Sequence, residues 1–247
     1  MRIPVITLAA VGIAACCLVC LNNVNKTKSN EETTFQTLAQ DVSNESPSVV
    51  KTMMIPVAPV TSSNLENVEE YTSPYNFDEL HAANEEIIAW VNIPDTSLDY
   101  PIVFNGTEDY LHQDLNKENS YSGTPFLDEK AENPMKDFVN IIYGHHMKDG
   151  SMFSAIDDYN DAVFFEAHNE INIYLENETL NLHPVATITG KADAAIRTIQ
   201  SIADLKAFAE DKDITVGAIP SEISELYVFV TCNYSGKDFR TYLICTK

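Results

Sequence analysis

A cysteine and an arginine stand eight positions apart in the sequence, each at the end of an apolar run. Cys232 ends the strand-like run Leu226–Cys232, and Arg240 begins a second run, Arg240–Cys245. The Ser-Gly pair at 235–236 is typical of a turn, so the two runs are predicted to pair as antiparallel strands. This pairing would place Cys232 and Arg240 side by side at the mouth of a sheet.

Two consecutive histidines follow a third apolar run. The run Phe138–Tyr143 stops at Gly144, and His145 and His146 open the next loop. A histidine at a strand end, beside a backbone that can bend, can project into a cleft. A nearby imidazolium lowers the pKa of a cysteine thiol and can protonate a leaving amine. A fixed guanidinium can stabilise the oxyanion of a tetrahedral intermediate.

Cys232, His145 and Arg240 together form a coherent set for acyl transfer through a thiol. We therefore predict them as the catalytic residues of a mechanism that needs no metal and no organic cofactor. Each has an ordinary structural alternative, namely a buried cysteine, a surface-loop histidine and a salt-bridged arginine. His146 is an alternative to His145 as the imidazole. Cys245 is expected to be a buried strand residue, whereas a Cys232–Cys245 disulfide would abolish activity.

The composition excludes some classes of partner and of site. The net charge is −22, from 15 basic and 37 acidic residues, and such a surface repels nucleic-acid phosphates, so nucleic-acid binding is excluded. Hydrophobic residues make up 45% of the chain, which is enough for a packed core. Three of the five cysteines lie in the N-terminal apolar run. The other two form neither a disulfide framework nor a Cys-x-x-Cys zinc pair.

The apolar N-terminal segment predicts a membrane anchor. Nineteen residues, Ile3 to Leu21, carry no charge, and at 1.5 Å per residue they span roughly 28 Å, close to the hydrocarbon thickness of a bilayer. This length favours an uncleaved anchor over a cleaved signal peptide. Ile13-Ala14-Ala15-Cys16 also resembles a bacterial lipobox, in which Cys16 would be lipidated. We predict residues 1–21 as the membrane segment of a single-pass protein of the cell membrane.

The rest of the chain divides into a stalk and a compact domain. Residues 22–74 are rich in Asn, Ser, Thr, Glu and Pro without sustained periodicity, which predicts a flexible extracellular stalk. The domain is predicted over 75–247. It begins with a helix capped by Asn76, whose mostly apolar face continues at helical spacing to Val91 and which ends before Pro94.

Mostly short strands follow this helix. Further strand-like runs lie at Tyr100–Phe104, Thr124–Leu127, Glu170–Leu175 and Thr179–Thr189. Helical stretches at Ser154–Ala167 and Ser201–Asp211 interrupt them. Asp157, Asp158 and Asp161 are expected to form a solvated helix face rather than a calcium site. This order of elements predicts a β-barrel or β-sandwich with helical insertions.

At these residues the sequence resembles the sortases, and most closely their class B. The family's Thr-Leu-x-Thr-Cys strand end appears as Val228-Phe229-Val230-Thr231-Cys232, which keeps Thr-Cys but has Val228 and Phe229 in place of the first Thr and the Leu. The class B histidine motif is matched by Tyr143-Gly144-His145-His146-Met147-Lys148-Asp149-Gly150-Ser151-Met152-Phe153, although Asn often stands in place of His146. The downstream arginine matches Arg240. The resemblance covers about 75–247, and the extended histidine motif is its specific part.

The resemblance implies a closed eight-stranded β-barrel with helical insertions and an N-terminal helix. It further implies a cysteine transpeptidase of a Gram-positive cell surface. Cys232 would attack the threonine carbonyl of a C-terminal sorting signal on secreted proteins, and an amine of a peptidoglycan precursor would release the product. The helix predicted at Ser201–Asp211 of this sequence is similar to the class B insertion before the cysteine strand.

Two other functions remain open from the sequence. One is a hydrolytic cysteine peptidase that uses the same Cys and His on another fold, although papain-like enzymes place the cysteine before the histidine. The other is a non-enzymatic surface binding module in which Cys232 is structural. The reactivity of the Cys232 thiol separates this second possibility from the enzyme.

Overall fold

The computed structural model describes residues 33–40 and 71–247. The predicted membrane segment 1–21, with Cys16, lies outside the described residues, as does most of the predicted stalk 22–74. No helix within the two described ranges combines the length and the apolar character that a bilayer crossing requires.

Nine strands form one sheet, most of which closes into a barrel. The strands are β1 (Ile87–Asn92), β2 (Asp99–Val103), β3 (Phe126–Leu127), β4 (Val139–Tyr143), β5 (Ile171–Tyr174), β6 (Thr179–Lys191), β7 (Asp213–Gly217), β8 (Leu226–Cys232) and β9 (Phe239–Thr246). Their order is β5-β1-β2-β3-β4-β8-β9-β6-β7, and β5 also pairs with β6. The β5–β6 pairing closes a ring of eight strands, and β7 extends from β6 outside that ring. The predicted eight-stranded barrel is thus confirmed.

The helices of the described residues are short; two precede the first strand and the others lie between strands. They are α1 (residues 33–40), α2 (Phe77–Ala83), α3 (Ser154–Asp158), α4 (Ala162–Ala167) and α5 (Ile202–Ala209), and 3₁₀ turns occupy Asp109–Leu111 and Ala194–Thr198. The stretch predicted as one helix over Ser154–Ala167 is two helices, because Asp161 caps a new one by accepting from the N–H groups of Val163 and Phe164. Helix α5 lies where the sequence predicts it.

The predicted first helix is wrong over its second half. Asn76 caps α2 as predicted, by accepting from the N–H groups of Asp78 and Glu79, but α2 ends at Ala83. Residues Ile87–Asn92 are strand β1 instead. Four of the six positions of β1 are buried, so the alternation that marks a strand is absent. Apolar residues then fall at helical spacing by chance, as is usual for short buried runs.

Helix α1 falls within the predicted stalk, yet it packs on the barrel. Phe35 is only 3% exposed, and its ring meets Tyr100 of β2 edge-on with 5.4 Å between centroids. Leu38 and Ala39 pack against the same core. The spacing of these three residues is the apolar stripe of a helix. This part of the segment therefore belongs to the folded body.

Strand β8, which leads to Cys232, is buried on both faces. Tyr227 and Phe229 point into the main core of the barrel. Val228 and Val230 belong to a second apolar cluster, which also contains Phe208 of α5. Successive side chains of a strand point to opposite faces, so the insertion that carries α5 covers the outer face of β8. The cysteine therefore stands at the end of a fully packed strand.

Candidate active site

Cys232 and Arg240 face each other across two paired strands. Strand β8 pairs antiparallel with β9, and Cys232 is in register with Arg240 at the end of the ladder. Asn233 N–H donates to the carbonyl of Phe239 at 3.0 Å and extends the pairing by one step. The side-by-side placement predicted from the spacing and the turn is confirmed.

Strand β4 brings His145 to the same end of the barrel. It runs parallel to β8, with Tyr143 in register with Val230. Beyond the strand, Gly144 N–H donates to the carbonyl of Val230 at 3.2 Å, and the Thr231 hydroxyl donates to the carbonyl of Gly144 at 2.8 Å. These bonds fix the backbone just before His145 against the backbone just before Cys232.

Glycine is required at position 144. A Cβ atom there would overlap the ring of Phe153, which is fully buried against it. The Phe153 N–H donates to the carbonyl of His145 at 2.8 Å and closes the loop between the two residues. The Gly-His pair and the distant phenylalanine of the sequence motif are therefore parts of one packed unit.

The His145 ring is held by a backbone carbonyl. Its Nε2 lies 2.8 Å from the carbonyl oxygen of Leu111. A carbonyl oxygen only accepts hydrogen bonds, so Nε2 carries the hydrogen and Nδ1 is the nitrogen left for other chemistry. Burial lowers the pKa of His145; the Leu111 bond opposes this shift, while the charges of His112 and Arg240 add to it. The neutral imidazole is thus favoured in the free protein.

One cavity joins the three predicted catalytic residues. Its volume is about 260 Å³, and Cys232, His145 and Arg240 all line it. The rest of the wall is mostly apolar and includes Leu111, Phe126, Tyr143 and Val230, with Glu108 at one side. A thiol, an imidazole and a guanidinium in one apolar cleft can carry out nucleophilic attack, proton transfer and oxyanion stabilisation.

The two arginines of the domain have different roles. Arg197 makes the salt bridges, to Asp128 at 2.6 Å and to Glu108 at 2.5 Å. Arg240 makes no ion pair within residues 33–40 and 71–247, and its guanidinium donates to the carbonyl of Phe239 at 2.9 Å. Arg197 is therefore the salt-bridged structural arginine, whereas donors of the Arg240 guanidinium remain available at the cavity.

His146 lies outside this cavity. Its Nδ1 is 2.9 Å from the carbonyl oxygen of Cys232, and its ring packs on Tyr234 with 4.6 Å between centroids. The cavity wall contains His145 and not His146. This placement favours His145 as the imidazole that reaches a substrate.

Cys245 is a buried strand residue, as predicted. It is 0% exposed, and burial raises the pKa of its thiol well above the ordinary value. Cys232 and Cys245 are both free. The disulfide considered from the sequence is therefore not formed.

Several residues around the site escape sequence reasoning. Leu111 and Glu108 lie in a 3₁₀ turn and its approach, and nothing in their local sequence marks them as cavity residues.

The sequence predicts Asp157 on a solvated helix face, and this prediction is wrong. Its side chain is 21% exposed and accepts hydrogen bonds from Asn233 and Thr241. In the part of the chain that the structure describes, no cluster of His, Cys, Asp and Glu is arranged to hold a metal ion.

Comparison with known proteins identifies relatives in sequence and in fold. The chain is 35% identical to sortase B of Staphylococcus aureus over 104 residues, 42% of each protein. It is 41% identical to sortase B of Listeria monocytogenes over 91 residues, 36% of this chain and 37% of the relative. The matched segments thus span about two fifths of these curated relatives. No protein-family model matches the chain.

A solved structure extends the likeness over most of the domain. The Staphylococcus aureus sortase B–substrate complex has a TM-score of 0.60 and 26% identity to this chain. The match covers 69% of this chain and 83% of that one. The barrel fold is therefore shared with a sortase B whose structure was determined as a substrate complex.

Proposed function

We propose that this chain, a class B sortase, is a cysteine transpeptidase that cleaves a C-terminal sorting signal after threonine and transfers the acylated protein to a cell-wall amine. The observation that carries the proposal is the single cavity lined by Cys232, His145 and Arg240. Its other support is the likeness in sequence and fold to sortase B proteins.

The first half of the reaction forms a thioester. The neutral imidazole of His145 takes the proton of the Cys232 thiol. The resulting thiolate attacks the threonine carbonyl carbon, and the carbonyl electrons move to the oxygen. Arg240 stabilises this oxyanion, since its guanidinium donors lie at the cavity. When the tetrahedral intermediate collapses, the carbon–nitrogen bond breaks and the imidazolium of His145 protonates the leaving amine. The products are an acyl-enzyme and the released C-terminal fragment.

The second half transfers the acyl group to a new amine. The incoming amine attacks the thioester carbonyl and gives a proton to the neutral imidazole of His145. The carbon–sulfur bond breaks and the thiolate of Cys232 is regenerated. The apolar wall formed by Leu111, Phe126 and Val230 limits water at the thioester, which favours aminolysis over hydrolysis.

The proposed setting is the outer face of a cell membrane. Residues 1–21 would anchor the chain, and the segment that follows would hold the barrel near the wall precursors. The support is the uncharged apolar run from Ile3 to Leu21, whose length of roughly 28 Å suits a bilayer. The partners are then secreted proteins with a C-terminal sorting motif and the amine of a peptidoglycan precursor.

Product analysis tests the proposal. The full chain is incubated with a library of threonine-containing peptides, with and without a glycine peptide as the amine. Mass spectrometry should find an acyl group on Cys232 and, with the amine present, a transfer product that a Cys232→Ala variant does not form. If cleavage yields only the free acid even at saturating amine, the protein is a hydrolytic peptidase. If no peptide acylates Cys232, the enzymatic proposal fails in favour of a binding module.

A further inference from the structure

The residues that directly follow the three proposed catalytic residues all contact one carboxylate. His146 follows His145, Asn233 follows Cys232 and Thr241 follows Arg240. The carboxylate is that of Asp157 on α3. The three contacts come from the loop after β4, the end of β8 and the start of β9, so a single side chain reaches every segment that carries the proposed chemistry.

The contacts use both carboxylate oxygens. Oδ1 of Asp157 accepts from the Asn233 amide at 2.8 Å and from the Thr241 hydroxyl in a short hydrogen bond. Oδ2 lies 3.6 Å from Nδ1 of His146. The same Nδ1 donates to the carbonyl of Cys232 at 2.9 Å. The backbone of Cys232 is therefore held from two sides, through its own carbonyl and through the next side chain.

Thr241 is the buried centre of this network. It is 0% exposed, and its hydroxyl accepts from the amides of Asn233 at 3.0 Å and Asn160 at 3.1 Å. A hydroxyl has one hydrogen to donate and two acceptor positions. Both acceptor positions are taken, so the hydrogen goes to Asp157 and every polar group of Thr241 is used. Asn160 also donates to Asp157 at 3.0 Å.

The network lies behind the cavity rather than in it. Side chains that are adjacent along a strand point to opposite faces of the sheet, so Thr241 points away from the face of Arg240. The cavity wall includes Cys232, His145 and Arg240 but not Asp157. Asp157 therefore does not line this cavity, and any effect on the cavity residues passes through the residues it contacts.

We propose that Asp157 is a positioning residue of this enzyme, which sets the relative placement of His145, Cys232 and Arg240 through the residue after each. It hydrogen-bonds Asn233 and Thr241 and lies against the His146 ring. The inference rests on the proposed function for its catalytic consequence. The ends of β8 and β9 lie where the strand ladder stops, and strand ends fray when nothing holds them. The hydrogen bonds of Asp157 replace the missing ladder at that point.

The test compares two substitutions on neighbouring residues. Asp157→Asn keeps the size of the side chain and removes its charge, while Asp158→Asn makes the same change on the exposed residue beside it. We expect Asp157→Asn to lower kcat for peptide cleavage about tenfold or more, because missing alignment costs rate in the chemical step. KM should stay within about threefold, and Asp158→Asn should stay within about twofold of the wild type in both parameters.

Hydrogen exchange provides a measurement that needs no substrate. In Asp157→Asn, amides of the segments around 145–146, 232–233 and 240–241 should exchange faster, while β1 and β5 keep their protection. Thr241→Val, which removes only the hydroxyl, serves if Asp157→Asn does not fold. Its exchange should increase in the last two segments.

Several results would overturn the inference. These are unchanged exchange in all three segments, a kcat within twofold of the wild type, or an equal kcat loss in Asp158→Asn. A loss that disappears on cooling, together with a lowered Tm, would reduce Asp157 to a structural role. If the wild type forms no acyl-enzyme, the proposed function fails while the exchange data still decide whether Asp157 holds the three segments.

Discussion

The two ends of the β8–β9 pair contain the same functional group in opposite environments. At one end Cys232 is in register with Arg240, and at the other Tyr227 is in register with Cys245. Cys245 is fully buried, and burial raises the pKa of its thiol. Cys232 is partly exposed at a cavity that it shares with His145 and Arg240.

This difference shows that position along a strand decides what a cysteine does. A thiolate in an apolar interior has lost its solvation and has no cation to replace it, so such a thiol stays protonated and inert. At the strand end, the ladder stops and other segments of the chain can bring polar groups beside the sulfur. The same two strands thus provide a core residue and a candidate nucleophile.

The strongest test of the difference between Cys232 and Cys245 is to replace each cysteine in turn. Cys232→Ala should lower the rate of peptide cleavage by at least about 10³-fold, because no other group replaces the nucleophile. Cys245→Ala should keep kcat/KM within about threefold and lose about 1 kcal/mol of stability through the lost apolar burial. Steady-state kinetics and thermal melts of the two variants measure both effects. Substantial cleavage by folded Cys232→Ala would refute the assignment of the nucleophile.

A smaller effect should separate the two arginines. Arg240→Lys keeps the positive charge but loses the planar fork of donors, so kcat/KM should fall by about 10²-fold if Arg240 stabilises the oxyanion. Arg197→Lys is the matched change at the salt-bridged arginine. It should act mainly on Tm, because it weakens the pairs with Asp128 and Glu108. Equal losses of kcat/KM in the two variants would contradict the oxyanion role.

The smallest effect concerns the titration of His145. Burial lowers its pKa, so the folded protein should titrate this ring below the ordinary histidine value of about 6.5. An NMR titration, assigned with a His145→Gln variant, measures the pKa directly. Because Arg240 also lowers this pKa, Arg240→Gln should raise it. A pKa at or above the ordinary value in the wild type would contradict the buried environment.

The lowered pKa of His145 also makes the free energy of unfolding depend on pH. Above about pH 6.5 neither folded nor unfolded His145 is charged, and the shift costs nothing. As the pH falls further, the unfolded chain binds a proton that the folded chain resists. The free energy of unfolding of the wild type should therefore fall relative to His145→Gln as the pH drops below about 6.5, which chemical denaturation at several pH values checks.

Local patterns predicted the parts of the site that depend on local structure. The turn at 235–236 fixed the expected partner of Cys232, and the register bears this out. Gly144 marked the end of β4, where the structure places His145. The mostly β fold with helical insertions followed from the order of apolar runs. The family resemblance added the barrel closure, which pairs β5 with β6.

The features that were missed depend on distant or unusual contacts. Strand β1 is buried at most positions and lacks alternation, so its sequence predicts a helix. Strand β7 is mostly exposed, and its own residues do not predict a strand. It is a strand because it pairs with β6. Asp157 finds Asn233 and Thr241 at 76 and 84 positions along the chain. Local periodicity in the sequence cannot predict contacts between residues so far apart in the chain.

The parallel pairing of β4 with β8 also determines when Cys232 and His145 come together during folding. Thr231 and Gly144 bond to each other across 87 positions, and this contact forms only after the intervening chain has been ordered. Contacts of such high contact order form slowly. A chain that is still folding therefore has an ordinary, unassisted cysteine at position 232. The cavity that joins Cys232, His145 and Arg240 therefore forms late, together with the closed barrel.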